Sequence, residues 1–493
     1  MTASQEPKLP NRQSPFSEPF RSFICVDWQD YPDQLPHALA GATAASHHRQ
    51  ALSQHFPKHR LIIPAGGLKV RNNDCDYRFR PHTAFTWLTG LGTDREPDAV
   101  LVMEPVDDDT ATDAHHRSTL YFHPRVPRTD PEFYADSRYG EMWVGQRESL
   151  EEMSALGRII CADISTLDQA LSTLSETIPT AIVRDADPNL TSRLDDLYPP
   201  QKRDDIDLET TLSELRLIKD DYELDQMRQA CEATAVGFEA VVKELPNAIA
   251  NGRGERWVEG IFGLHARHRG NAVGYDTIAA SGDHANTLHW IRNDGDLNPS
   301  DLLLMDAGVE LDSLFTADIT RTMPISGRFS PEQRMVYEAV LAAQQAGIDA
   351  ARPGARFSDV HQAAIEVIVD YLDSWGILPV SKEEALDPER GGHYRRWMVH
   401  GTSHHLGLDV HDCAQARREC YRDGILKAGM VITVEPGIYF KSTDLTVPER
   451  LRGIGVRIED DIAITDAGCE ILSHHLPRDP DELEAWMDSL LHS

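Results

Sequence analysis

Four carboxylates stand where an apolar chain would not be expected to carry them. Asp306 ends the run Leu302-Leu303-Leu304-Met305, and Asp318 sits between Ala317 and Ile319. Glu435 closes Val431-Ile432-Thr433-Val434 just before Pro436-Gly437, and Glu459 lies in Val456-Arg457-Ile458-Glu459-Asp460-Asp461. A carboxylate among such neighbours is costly unless a cation compensates it. Histidines gather nearby: His400, His404, His405 and His411 fall within twelve residues, interleaved with glycine, and His289 stands between Leu288 and Trp290. Each residue also has a plainer reading. Asp306 could open a turn with Ala307-Gly308, Asp318 could pair with Arg321, Glu435 could face water, and residues 457–461 could form a solvated strand end. Taken together, the donors are carboxylate oxygens and imidazole with no thiolate. That set suits two divalent ions such as Mn²⁺, Co²⁺ or Zn²⁺, bridged by carboxylates and activating a water between them.

The elements that must position these residues are legible in part. Strands are expected at 302–306, 315–324, 431–435 and 455–464, from short apolar runs bounded by turn residues. A short turn between the first two would bring Asp306 and Asp318 together. On the last, Arg457, Glu459 and Asp461 share one face. Leu215, Ile218, Tyr222, Met227, Cys231 and Ala235 mark one long amphipathic helix. Ser330, Pro331 and Gln333 open another with a capping box. A third has Ser358 as cap and an apolar stripe from Val360 to Trp375. Further upstream, a helix is expected over 36–56. The runs at 61–63, 85–88, 99–103 and 119–122 read as strands, and a helix lies near 149–156. Strands alternating with helices indicate an α/β region closing at a polar linker, 199–207. Residues 379–394 read as a surface loop or insertion.

The chain has 493 residues, with 48 Lys plus Arg against 80 Asp plus Glu, a formal net charge of −32. An apolar fraction of 41% is enough for a folded chain of two or three domains. The acidity excludes a nucleic-acid backbone or an anionic membrane as partner, since both need clustered Lys and Arg. Seven cysteines, odd in number and without a CxxC pair, argue against a disulfide framework or zinc finger. The polar N-terminus lacks signal-peptide order, and no run of about 18 apolar residues exists. A reducing cytoplasm fits best.

The motifs Asp306-Ala307-Gly308, Asp318-Ile319-Thr320-Arg321-Thr322, His400-Gly401-Thr402-Ser403-His404, Glu435-Pro436-Gly437 and Arg457-Ile458-Glu459-Asp460-Asp461 occur in an order that resembles the pita-bread metallopeptidases. The resemblance is strongest to the aminopeptidase P group, with prolidase as near relative. It is strong over 210–480 and weaker upstream, where Phe85-Thr86-Trp87-Leu88-Thr89-Gly90 carries it. It implies an α/β (α+β) chain: a flexible arm at 1–20, a creatinase-like N-terminal α/β domain at 21–207, and a pita-bread catalytic domain at 208–493. It implies Asp306, Asp318, His404, Glu435 and Glu459 as ligands of two divalent ions, Mn²⁺ foremost, with Co²⁺ or Zn²⁺ as alternatives. Glu435 would also act as base toward the bridging hydroxide. His411 would bond the scissile carbonyl, His289 and His400 would wall a proline pocket, and Tyr439 and Arg457 would orient ligands. The implied reaction is release of the first residue from Xaa-Pro peptides, by a homo-oligomer, dimer or tetramer. Alternatives are a dipeptide-restricted prolidase, a pita-bread binding protein without catalysis, and a metal-free hydrolase of the creatinase type. Two departures stand out: one extra residue between Asp306 and Asp318, and His405 where tryptophan is frequent.

Overall fold

The computed structural model describes residues 15–93, 95–106, 110–172, 178–200 and 203–492. The chain folds as two compact units, Met1–Leu91 with Glu96–Arg203, and Gly92–Arg95 with Asp204–Ser493.

The first unit is built on five strands: β1 (Arg60–Pro64), β2 (Val100–Pro105), β3 (His116–Phe122), β4 (Ile160–Asp163) and β5 (Thr180–Ile182), in the order β4-β3-β2-β1-β5. Pairing is antiparallel in the centre and parallel at both edges. Ile62, Val100, Val102 and Ile182 pack one face against Leu167, Leu171, Leu190 and Leu194. Residues 1–14 of the expected arm lie outside the described residues. Its remainder leads into a helix, α1 (Glu18–Ile24), whose Phe20, with Phe16 just before it, packs on Tyr134. The helix expected over 36–56 starts later, as α2 (Ala42–His55). The run 85–88 is not a strand. It lies in α3 (Thr83–Thr89), capped by His82 and stopped by Gly90 at φ 73°. A short run with three apolar residues in four fits a buried helix as well as a strand, and the left-handed glycine decides. The helix expected near 149–156 is α4 (Leu150–Gly157), with Ser149 and Glu152 forming a full capping box.

In the second unit, the single long helix expected across Leu215–Ala235 is two, α5 (Asp205–Arg216) and α6 (Asp221–Asn251). Asp220 caps α6, with Glu223 closing a capping box, so the chain restarts its helix there. Next come α7 (Gly254–Arg269), α8 (Pro331–Ala350) and α9 (Phe357–Ser374). Ser330 and Gln333 make both capping-box bonds on α8. The cap of α9 is Arg356 rather than Ser358. Among the described residues no helix is long and apolar enough to cross a membrane.

The strands of this unit that frame the site are β6 (Ile278–Ser281), β7 (Leu302–Ala307), β8 (Ile319–Pro324), β9 (Val431–Val434), β10 (Gly437–Tyr439), β11 (Gly455–Arg457), β12 (Asp460–Ile464) and β13 (Cys469–Ile471), and Ala272–Val273 pairs separately with Val309–Glu310. They form small antiparallel sheets, β8-β7-β6, β9-β12-β13 and β10-β11. The stretch expected as one strand over 455–464 is therefore split. Both it and its partner change sheets at matching points, β9 to β10 at Glu435-Pro436 and β11 to β12 at Ile458-Glu459. Pro436 donates no backbone hydrogen bond, so the ladder has to break there. At the crossing Glu459 N bonds Thr320 O at 3.1 Å, which ties it to β8. Two glutamates are thus delivered to one place by a change of partner.

Candidate metal centre

β7 and β8 pair antiparallel with Asp306 opposite Thr320, so Asp318 lies just past the strand end, diagonal to Asp306. Tyr275 joins the two acids. Its hydroxyl lies 2.6 Å from Asp306 Oδ1 and 2.5 Å from Asp318 Oδ1. Arg457, itself buried, donates to Asp306 Oδ2 at 2.6 Å and to the Tyr439 hydroxyl at 3.1 Å. Thr320 Oγ1 donates to Glu459 Oε2 at 2.7 Å. Beneath Asp318, its backbone N–H donates to Asp461 Oδ2 at 3.0 Å.

His400, His404 and His411 come from the chain between α9 and β9, and His289 from the segment between β6 and β7. His404 Nε2 lies 3.3 Å from Asp318 and 3.4 Å from Glu435. Its Nδ1 lies 3.1 Å from the His405 carbonyl, which can only accept, so Nδ1 carries the proton. That leaves Nε2 to face the carboxylates, the orientation a ligating imidazole adopts. His400 Nδ1 bonds the Gly401 carbonyl at 2.6 Å and its Nε2 meets the Tyr439 hydroxyl at 2.8 Å. The His411 ring stands edge-on to His404 at 4.6 Å.

Ten of the residues singled out in the sequence meet here or beside it; His405 does not, its ring packing on Phe357 and Tyr421 instead. Asp306, Asp318, Glu435, Glu459, His289, His400, His404, His411 and Arg457 line one cleft of about 480 Å³, and Tyr439 backs His400 and Arg457. Ile278, Leu288, Ile291 and Val410 supply its apolar wall. Two of the plainer readings fail on geometry. Arg321 pairs with Asp460 at 2.7 Å, both fully buried, and not with Asp318. Residues 457–461 are buried rather than solvated. Tyr275 was not legible. Gly274-Tyr275-Asp276 has no distinctive spacing, and its role appears only when β6 and β7 lie side by side.

The charge balance is that of a cation site. Burial pushes Glu435 up to about 7, against the pull of His404. Burial and then Asp318 drive Glu459 far above the carboxylate range, and burial and Asp306 raise Asp318. Burial alone would lower His404, but Asp318 and Glu435 outweigh it and raise it to about 9. His400, by contrast, falls to about 3 through burial and Arg457. Without cations, four clustered acids can ionise only by borrowing charge from one imidazole and one guanidinium. Ligand atoms of Asp318, His404 and Glu459 lie within 4.8 Å of one another, close enough to share an ion. Oxygen-rich donors with one imidazole fit divalent ions.

The chain matches the family model of metallopeptidase family M24 over residues 225–466 and that of the aminopeptidase P N-terminal domain over 45–182. It is 49% identical to Xaa-Pro aminopeptidase 1 of Streptomyces coelicolor, over 93% of this chain and 89% of that protein. It is 47% identical to Xaa-Pro aminopeptidase 2 of the same organism, over 93% and 94%. Among solved structures, it resembles Pseudomonas aeruginosa aminopeptidase PepP with a TM-score of 0.79 at 30% identity, covering 92% of this chain and all of that one. It resembles Escherichia coli aminopeptidase P with the inhibitor Pro-Leu with a TM-score of 0.78 at 29% identity, with the same coverage.

Proposed function

The chain belongs to metallopeptidase family M24, and on that premise we propose that it is an Xaa-Pro aminopeptidase, releasing the first residue of peptides whose second residue is proline. The observation that carries this reading is the single cleft on which four carboxylates and His404 converge beside His289, His400 and His411. Asp306, Asp318, His404, Glu435 and Glu459 would hold two divalent ions, with Mn²⁺ as the ion we favour. When bound, such ions lower the pKa of water and polarise the scissile carbonyl.

The chain's own residues do the rest. Glu435 takes the proton of the attacking water and passes it toward the leaving nitrogen. His411 donates to the carbonyl oxygen as charge builds on it. Arg457 and Tyr275 hold Asp306 at a fixed angle from opposite sides. A bond before proline has no N–H for a peptidase to grip. His289 and His400, with Ile278 and Leu288, offer a wall for the ring instead. Tyr439 and the Gly401 carbonyl hold both nitrogens of His400, so its ring stands in one orientation.

The finer placement is part of the same proposal. Seven free cysteines suit a reducing cytoplasm. The acidic surface gives no footing for nucleic acid. A homo-oligomer rests on the family resemblance. The test is substrate length, read by mass spectrometry on an Xaa-Pro dipeptide and an Xaa-Pro tripeptide. Release of the first residue from the tripeptide is expected, and cleavage of the dipeptide alone would overturn the assignment in favour of a prolidase.

A further inference from the structure

Leu288, His289 and Ile291 reach the cleft on the excursion between β6 and β7. That segment has little regular structure beyond a 3₁₀ turn at Gly282–Asn286. A histidine at such a tip needs fastening if it is to stand at one height. The fastening comes from Glu255, in the first turn of α7. Its side chain is fully buried and accepts four hydrogen bonds. Oε1 takes Ser281 N at 2.8 Å and His284 Nδ1 at 2.7 Å. Oε2 takes Trp290 Nε1 at 2.9 Å and Gly295 N at 2.7 Å. Those four bonds use all the accepting sites of a carboxylate.

The donors bracket His289 in the chain, two before it and two after. The rings of His284 and Trp290 stack at 3.9 Å, so the two limbs are braced against each other as well. Glu255 N returns a bond to Gly295 O at 3.1 Å. A Cβ at position 295 would fall 2.8 Å from the carboxylate carbon, so glycine is required for the acid to seat. Asn293, at φ 47°, ties the return limb to β6 through Thr277 O and Ala279 N. A helix N-terminus also favours a carboxylate at this position.

The geometry points to Glu255 as a positioning residue. It sets where His289 stands at the cleft wall, and so sets affinity for the substrate's second residue without touching substrate. This rests on the reading of His289 as part of the proline wall. Glutamine cannot replace it, because one amide oxygen accepts while the amide nitrogen would face two N–H donors.

The experiment measures kcat and KM on an Xaa-Pro tripeptide for wild type, Glu255→Gln, His289→Ala and the double variant. Hydrogen exchange of residues 282–295 is followed in wild type and Glu255→Gln. Expected are faster exchange in that segment, a KM raised roughly tenfold with a smaller change in kcat, and a double variant no worse than His289→Ala alone. Trp290→Phe keeps the stacked ring and removes one donor; it should move KM the same way by less, and it serves if Glu255→Gln fails to fold. Unchanged exchange, or effects of the two substitutions that multiply, would overturn the inference. A wild-type protein that leaves the tripeptide uncut would overturn the proposed function alone, and the exchange measurement then decides on Glu255 by itself.

Discussion

Replacing Arg321 with methionine tests the electrostatic frame behind the metal centre. Arg321 and Asp460 are both completely buried. The guanidinium donates to Asp460 Oδ1 at 2.7 Å and to the carbonyls of Thr320, Glu459, Leu476 and Pro477 at 2.6 to 2.9 Å. Methionine fills similar space but leaves Asp460 with Ser473, Gln344 and Arg478 as its remaining partners. Removing one partner of a buried pair costs about 3–5 kcal/mol. Arg478 stands 3.3 Å from Asp460 and retains part of the compensation, which places the expected loss toward the lower end. For a unit of this size, about 2 °C per kcal/mol converts that to a fall in Tm of roughly 6–8 °C. Scanning calorimetry of wild type, Arg321→Met, Asp460→Asn and the double variant would measure it. The double variant should recover part of the loss, because it leaves no uncompensated charge. A fall below about 2 °C for Arg321→Met, or strictly additive losses, would refute the argument.

Four other expectations concern single residues or the ions. His405 is buried with both ring nitrogens unpartnered, and its ring stacks on Phe357 at 5.0 Å. His405→Phe keeps the stack and removes the orphaned groups, so it should stabilise by about 1–3 kcal/mol, seen as a higher Tm. Burial, then Arg395 and Arg422, lower His361 to about 4. The unfolded state therefore binds this proton first, and the stability associated with a neutral His361 is complete above about pH 6.5 and lost as pH falls toward 4. Between those values wild type should lose up to about 1.4 kcal/mol per pH unit more than His361→Gln, measured as the difference between their unfolding curves; parallel curves would refute it. Exhaustive chelation should abolish peptidase activity and Mn²⁺ should restore it, while Glu435→Ala, which removes a ligand and the base together, should lower kcat by at least about 10²-fold. A fully active chelated protein would remove the metal from the proposal.

The parts of the fold that were legible are those where local chemistry and tertiary position agree. Leu302–Met305 is apolar because β7 is buried on both faces, and Asp306 stands out against that run. Ser330, Pro331 and Gln333 announce α8 because a capping box is made by neighbours in sequence. Two misreadings were local as well. Asp220 and Glu223 carry the signature that starts α6, although the apolar spacing runs through them. Gly90 marks the end of α3, although the preceding run also suits a strand. What could not be read is partnership at a distance. Arg321 is three residues from Asp318, yet its acid is Asp460, reached because β8 and β12 pass each other. Tyr275 shows no pattern at all until two strands set its hydroxyl between Asp306 and Asp318.

The acids of this cleft divide into two groups, and the division explains how so much like charge is held together. Asp460 faces away from the cleft and is matched within the fold by Arg321, Arg478 and two neutral donors. Asp306 is matched in part, by Arg457. Asp318, Glu435 and Glu459 have one charged imidazole, His404, and hydroxyl donors between them, His400 beside Glu435 being held neutral, and burial raises all three. A fold able to give Asp460 two guanidinium neighbours had the means to neutralise the others and did not. Asp318, Glu435 and Glu459 instead lie at the end of β8 and at the two strand crossings, where the backbone turns from one sheet to the next. That placement leaves their lone pairs converging on one space, which is the arrangement divalent cations complete. The remaining surplus of the net charge of −32 lies elsewhere on the molecule, and nothing in the cleft's geometry accounts for it.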